Sequence, residues 1–96
     1  MKFAFMLLGN FDARQDRATL NDGNVLALGV GSLEEACAAA KQLYHEGYGC
    51  IELCGAFGPE GAQRVIDATE NKMPIGYVVH FPQQDELFRK AFPQKT

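Results

Sequence analysis

Apolar positions along this chain switch between two periods, and the switches mark out its elements. Residues 2–8, KFAFMLL, form an apolar and aromatic run of strand length ended by Gly9-Asn10, the pattern of a buried strand. Residues 25–30, VLALGV, repeat that pattern and close on Gly31. Between them NFDARQDRATLNDGN, residues 10–24, is polar and carries turn chemistry at Asn21-Asp22-Gly23-Asn24. The prediction there is a loop, with a weak helical option over 13–20.

Ser32-Leu33-Glu34-Glu35 is a capping box, in which a serine hydroxyl and a glutamate three residues on satisfy the free amides of a helix start. From there Leu33, Ala36, Cys37, Ala40, Leu43 and Tyr44 recur at steps of three and four. That stripe predicts a helix to about Glu46, stopped by Gly47 and packed on a sheet. A third strand is expected over 50–54, a turn over 55–58, and a second helix led by Pro59 with Ala62, Val65, Ile66 and Thr69 on one face. IGYVVHF, residues 75–81, reads as a fourth strand. Pro82 then opens a polar turn into a short C-terminal helix whose apolar face is Leu87, Phe88, Ala91 and Phe92.

Strand, helix, strand, helix, strand over 25–81 is a pair of βαβ crossovers, which gives parallel strands with right-handed connections. The expected fold is therefore a small α/β domain, residues 1–96, with a mostly parallel four-stranded sheet and a C-terminal helix. The connection after the first strand is long enough to leave that strand parallel or antiparallel.

Composition narrows the partners. Ninety-six residues, 47% of them apolar, suit one domain with a thin core. Self-association commonly supplements such a core, so a homo-oligomer is expected. A formal charge of −3 offers no basic footprint, and neither nucleic acid nor a membrane is an expected partner. The apolar run at the N-terminus is too short for a signal peptide or a membrane span and is followed by Asp12, Arg14, Asp16 and Arg17, so a cytoplasmic location is the expectation. Cys37, Cys50 and Cys54 match neither a disulfide framework nor a zinc spacing and read as reduced thiols; no motif calls for a metal or other cofactor.

Ligands of parallel sheets bind outside the C-terminal ends of the strands. The groups expected at that edge are Asn10 after the first strand, Glu52, Cys54, Gly55 and Gly58 at the third, and His80 at the fourth. Alternation puts Cys50, Glu52 and Cys54 on one side of the sheet and Ile51 and Leu53 on the other. Under a helix an unpaired carboxylate costs several kcal/mol, so Glu52 must be paired, protonated or open to a cavity. It is then either a structural acid or a general acid or base. Cys54 is a buried small hydrophobe or a nucleophile beside a helix start. His80 is a second acid-base candidate or a hydrogen-bonded rim residue. Gly55, Gly58 and Gly61 permit close backbone approach to a ligand, yet their spacing is not a phosphate loop, and Glu60 would repel an anion. They fit a tight strand-to-helix turn, with Asn10 and the turn amides able to hold a small polar ligand.

Together, MKFAF, SLEEACAAAKQL, EGYGCIELCGAFGPEGAQRV and PIGYVVHFPQQDEL resemble a family of small bacterial and archaeal proteins classed as a domain of unknown function, with IELCGAFGPEGA (51–62) similar to its signature. The resemblance spans nearly the whole chain and implies a small α/β domain, without an activity to transfer. Gly47-x-x-x-Ile51-Glu52-Leu53 is also similar to strand units of TIM barrels, which need about 200 residues or more to close. Three function classes follow: an oligomeric small-molecule-binding or structural domain; a small acid-base enzyme (lyase, isomerase or hydrolase) using Glu52 and His80, with Cys54 as nucleophile; and a cysteine-based redox or metal sensor.

Overall fold

The computed structural model describes residues 1–93. Strands β1 (Phe3–Leu8), β2 (Arg17–Leu20), β3 (Val25–Val30), β4 (Cys50–Leu53) and β5 (Ile75–Tyr77) form one sheet in the order β2-β3-β1-β4-β5. β1 lies at the centre, parallel to β3 and to β4; β4 and β5 are parallel, and β2 is the antiparallel edge. The orientation that the sequence left open for the first strand is thus parallel.

Helix α1 (Leu33–His45) begins as its capping residues predict: Ser32 Oγ accepts the Glu35 amide at 3.1 Å. The Glu35 carboxylate reaches one residue further back than in a capping box and accepts the Gly31 amide at 3.1 Å. Helix α2 (Gly58–Ala68) follows a short 3-10 turn, Gly55–Phe57, and carries Pro59 in its first turn. Gly58 takes φ 62° and ψ 179°, a backbone region essentially reserved for glycine. Helix α3 (Asp85–Ala91) ends the described chain after a 3-10 turn, Pro82–Gln84.

Both crossovers step the same way across the sheet. From β3 through α1 the chain passes β1 to reach β4, and from β4 through α2 it moves one strand further to β5. Right-handed connections taken twice in one direction set both helices on one face. There Ala4, Met6, Leu26, Leu28, Val30, Ile51 and Leu53 of the strands meet Ala36, Ala40 and Leu43 of α1 and Ala62 and Val65 of α2. Neither α1 nor α2 reaches the opposite face. Among the described residues no helix is long and apolar enough to cross a membrane.

Two differences from the expected layout have local causes. The 10–24 segment contains β2, giving five strands instead of four. Its four residues, RATL, are all exposed, and Ala18 and Leu20 alternate with Arg17 and Thr19 over too short a run to mark a strand within a polar segment. Pairing with β3 and the Asn21-Asp22-Gly23 turn, all three at positive φ, hold it in place. The fourth strand stops at Tyr77 instead of Phe81. Its neighbour β4 ends at Leu53, where the 3-10 turn carries the chain away, and the Val78 amide makes the last bond, 2.9 Å to the Leu53 carbonyl. Residues 78–81 have strand-forming side chains and no strand beside them.

Candidate functional site

The helix-free face of the sheet is assembled by register. One row runs Ala18, Ala27, Phe5, Glu52, Gly76; the row below it runs Leu20, Val25, Phe3, Cys50; Leu7 and Gly29 pair above. Phe3, Phe5, Leu7, Val25 and Ala27 are half-buried, and none belongs to the helix-side core. At the C-terminal edge the β1–β2 connection folds the Phe11 ring onto Gly29 so closely that a Cβ there would lie 2.5 Å from Phe11 Cγ. The face is thus apolar and aromatic, capped at one end by Phe11, with a carboxylate in its middle row.

Glu52 occupies that position for local reasons. Its strand neighbours in the row are Phe5 on one side and Gly76 on the other, and the carboxylate leans over Gly76, whose missing side chain leaves the room. A Cβ on Gly76 would lie 3.3 Å from Glu52 Oε2. Cys50, two residues earlier on the same face, donates its Sγ–H to Glu52 Oε1 at 3.6 Å. Burial first, then the hydrogen bond to Glu52 and its negative charge, push the Cys50 thiol above the ordinary thiol range. Because no helix covers this face, Glu52 is only half-buried, and among the described residues no buried side-chain oxygen or nitrogen lacks a partner.

The other sequence candidates lie around it. Cys54, one residue past β4, packs against the helix-side core, and its Sγ accepts the Leu8 amide at 3.4 Å. Gly55 starts the 3-10 turn, with the Val78 carbonyl 3.5 Å from where its Cβ would stand. Gly58 follows at the head of α2, and Asn10 is exposed in the β1–β2 connection beside Phe11. His80 lies outside the sheet, on the segment after β5. Its Nε2 meets Asp85 Oδ1 at 2.7 Å, and its ring stacks on Phe88 at 3.9 Å between centroids and 5° between planes. The structure thus joins Glu52 to Cys50 and His80 to Asp85, and no hydrogen bond links the two groups.

A shallow cleft also opens between the C-terminal ends of α1 and α2, lined by Lys41, Tyr44, His45, Thr69, Glu70 and Lys72. The Lys72 ammonium, 3.0 Å from Glu70, holds that carboxyl below its usual range and is itself held up. Helices antiparallel to the strands put this cleft at the strands' N-terminal edge, away from where parallel sheets take ligands. Among the described residues no three His, Cys, Asp or Glu side chains gather as a metal site.

Sequence reasoning passed over Phe3, Phe5, Phe11 and Gly76 as parts of a site. The available signal was glycine inside a strand: Gly29 and Gly76 both mark places where another group comes close.

A family model described as a family of unknown function, DUF6506, matches residues 1–93. The chain belongs to that family. No curated protein and no solved structure matches it. The DUF6506 match takes in the sheet, both packed helices and the segment carrying His80 and α3, so the family's unit includes the C-terminal segment as well as the sheet.

Proposed function

We propose that this chain is a homo-oligomeric small-molecule-binding domain whose binding surface is the helix-free face of the sheet, with Glu52 orienting the ligand. The observation that carries this reading is a half-buried carboxylate, bonded by Cys50 and standing over Gly76, in the middle of an otherwise apolar row. Sheets of parallel strands are as a rule covered on both faces, so an apolar face without a helix layer is a surface made to be occupied. Its chemistry suits a molecule that is mostly apolar and carries one hydrogen-bond donor or cationic group, with Asn10 and the Gly55 and Ala56 amides offering polar contacts at the rim; the Phe57 and Gly58 amides bond within the turn. Phenethylamine and its neutral analogue 2-phenylethanol are suitable probes. The amine is expected to raise the melting temperature more than the alcohol, and Glu52→Gln to erase that difference. Equal shifts for the two probes in the unsubstituted protein would sink the assignment to Glu52.

Acid-base catalysis is the second reading, favoured by the His80–Asp85 contact, in which a carboxylate fixes an imidazole as general bases require. For any turnover found, Glu52→Gln and His80→Ala should each lower kcat by about 100-fold or more. Retained activity in both would end this reading.

A further inference from the structure

We infer that the C-terminal arm, residues 78–92, of a second copy of this chain packs on the helix-free face of the sheet over β1 and β3, beside the Glu52 ligand position on β4. The inference rests on the homo-oligomeric part of the reading above and names what covers that part of the face; it does not depend on ligand binding.

Within one copy the arm is folded but unsupported. Helix α3 has seven residues, none buried, and its main packing is against the Pro82–Gln84 turn that leads into it. Isolated helices shorter than about 12–15 residues are marginal in water, so α3 needs a surface to pack on. The His80–Asp85 contact and the His80–Phe88 stack clamp the arm's two halves together, and Phe92 stacks beyond Phe88 at 6.1 Å. What the clamp displays is apolar: Phe81, Phe88 and Phe92 are 75%, 41% and 71% exposed, and Val79 and Leu87 are also exposed. At about 200 Å² per aromatic side chain, the three rings alone present about 370 Å². That approaches half of the roughly 800 Å² per partner in a standard interface, before Val79 and Leu87 are added.

The same chain therefore carries two unsatisfied apolar surfaces, a projecting arm and a bare parallel-sheet face containing Phe3, Phe5, Leu7 and Val25. The molecule is elongated, 39 Å on its long axis against 26 and 24 Å on the others, and no strand is among the elements that α3 mainly packs against. A two-fold-related copy satisfies both surfaces at once, since each copy gives an arm and receives one. A foreign partner would have to supply both complements itself.

The test uses the full chain. Sedimentation velocity at micromolar concentration should show a dimer or larger closed assembly. The double variant Phe81→Asp/Phe92→Asp, altered only at exposed positions, should sediment as a monomer with an unchanged far-UV circular dichroism spectrum. A mixed sample of carbon-13-labelled and unlabelled unsubstituted chains should show intermolecular contacts from Leu87 and Phe92 to Phe5, Leu7 and Val25. A monomeric unsubstituted protein, an assembly that survives the double substitution, or arm-to-sheet contacts confined to one chain would each overturn the inference. Glu52→Gln should leave the mass of the assembly unchanged. Equal shifts for phenethylamine and 2-phenylethanol in an intact unsubstituted dimer therefore fail the ligand reading alone, while amine binding by a monomeric unsubstituted protein fails the arm exchange and the homo-oligomeric part of that reading and leaves its ligand part standing.

Discussion

The two faces of this sheet have similar side chains and opposite fates. On the helix side, Ala4, Met6, Leu26, Leu28, Ile51 and Leu53 are at most 3% exposed. One residue along each strand, Phe3, Phe5, Leu7, Val25 and Ala27 point the other way and stay half-buried. Strands buried on both faces read as continuous apolar runs, and KFAFMLL and VLALGV read that way. The contrast teaches that the apolar character of a strand records how many faces are to be covered and is silent on what covers them. Here α1 and α2 supply one layer, and the second is missing from the single chain.

The sharpest test of that contrast is a pair of truncations. Ile51→Ala, on the helix side, should cost about 2–5 kcal/mol of unfolding free energy in urea, because it leaves a cavity in a closed core. Phe5→Ala, on the bare side, should cost far less in dilute protein, and its penalty should grow with protein concentration as association covers the ring. A Phe5→Ala penalty equal to that of Ile51→Ala and independent of concentration would erase the distinction between the faces. Next in size is Gly58→Ala, at the turn joining β4 to α2. Forcing a Cβ into φ 62°, ψ 179° should cost about 1–3 kcal/mol by the same urea measurement. An unchanged midpoint would show that the turn relaxes freely.

The smallest effect concerns chemistry on the bare face. Burial, and then Glu52, raise the Cys50 thiol, so its alkylation by iodoacetamide, followed by mass spectrometry, should accelerate only at a higher pH than for an unstructured cysteine. The thiol's contribution to stability is complete below the unfolded thiol's titration and is lost as pH rises through the folded one. Glu52→Gln removes the charge and leaves the burial, so the Cys50 profile should move part of the way back to lower pH. Superimposable profiles for the two proteins would refute the contact between Cys50 and Glu52.

Much of this was legible in the residues. Ser32 and Glu35 announced the start of α1 and Gly47 its end, because caps are local chemistry. Alternation along CIEL placed Cys50 and Glu52 on one side and Ile51 and Leu53 on the other, as observed. Cys54 was expected beside Glu52, but the strand ends before it, and its thiol turns to the Leu8 amide. β2 escaped notice because its alternation, Ala18 and Leu20 against Arg17 and Thr19, spans only four residues, and an exposed edge strand is held chiefly by its neighbour's backbone. Phe11 was hidden for a related reason: only the folded loop brings it onto Gly29.

By itself, then, the sequence determined the local elements, the βαβ order and the faces of its strands, since caps, turns and side-chain periods act over a few residues. Strand order belonged to the tertiary structure. Placing β5 beyond β4, on the side away from β3, made both crossovers run in one direction, and right-handedness then stacked both helices on one side. That single choice turned Glu52 from a carboxylate needing a partner beneath a helix into one standing on an open apolar face.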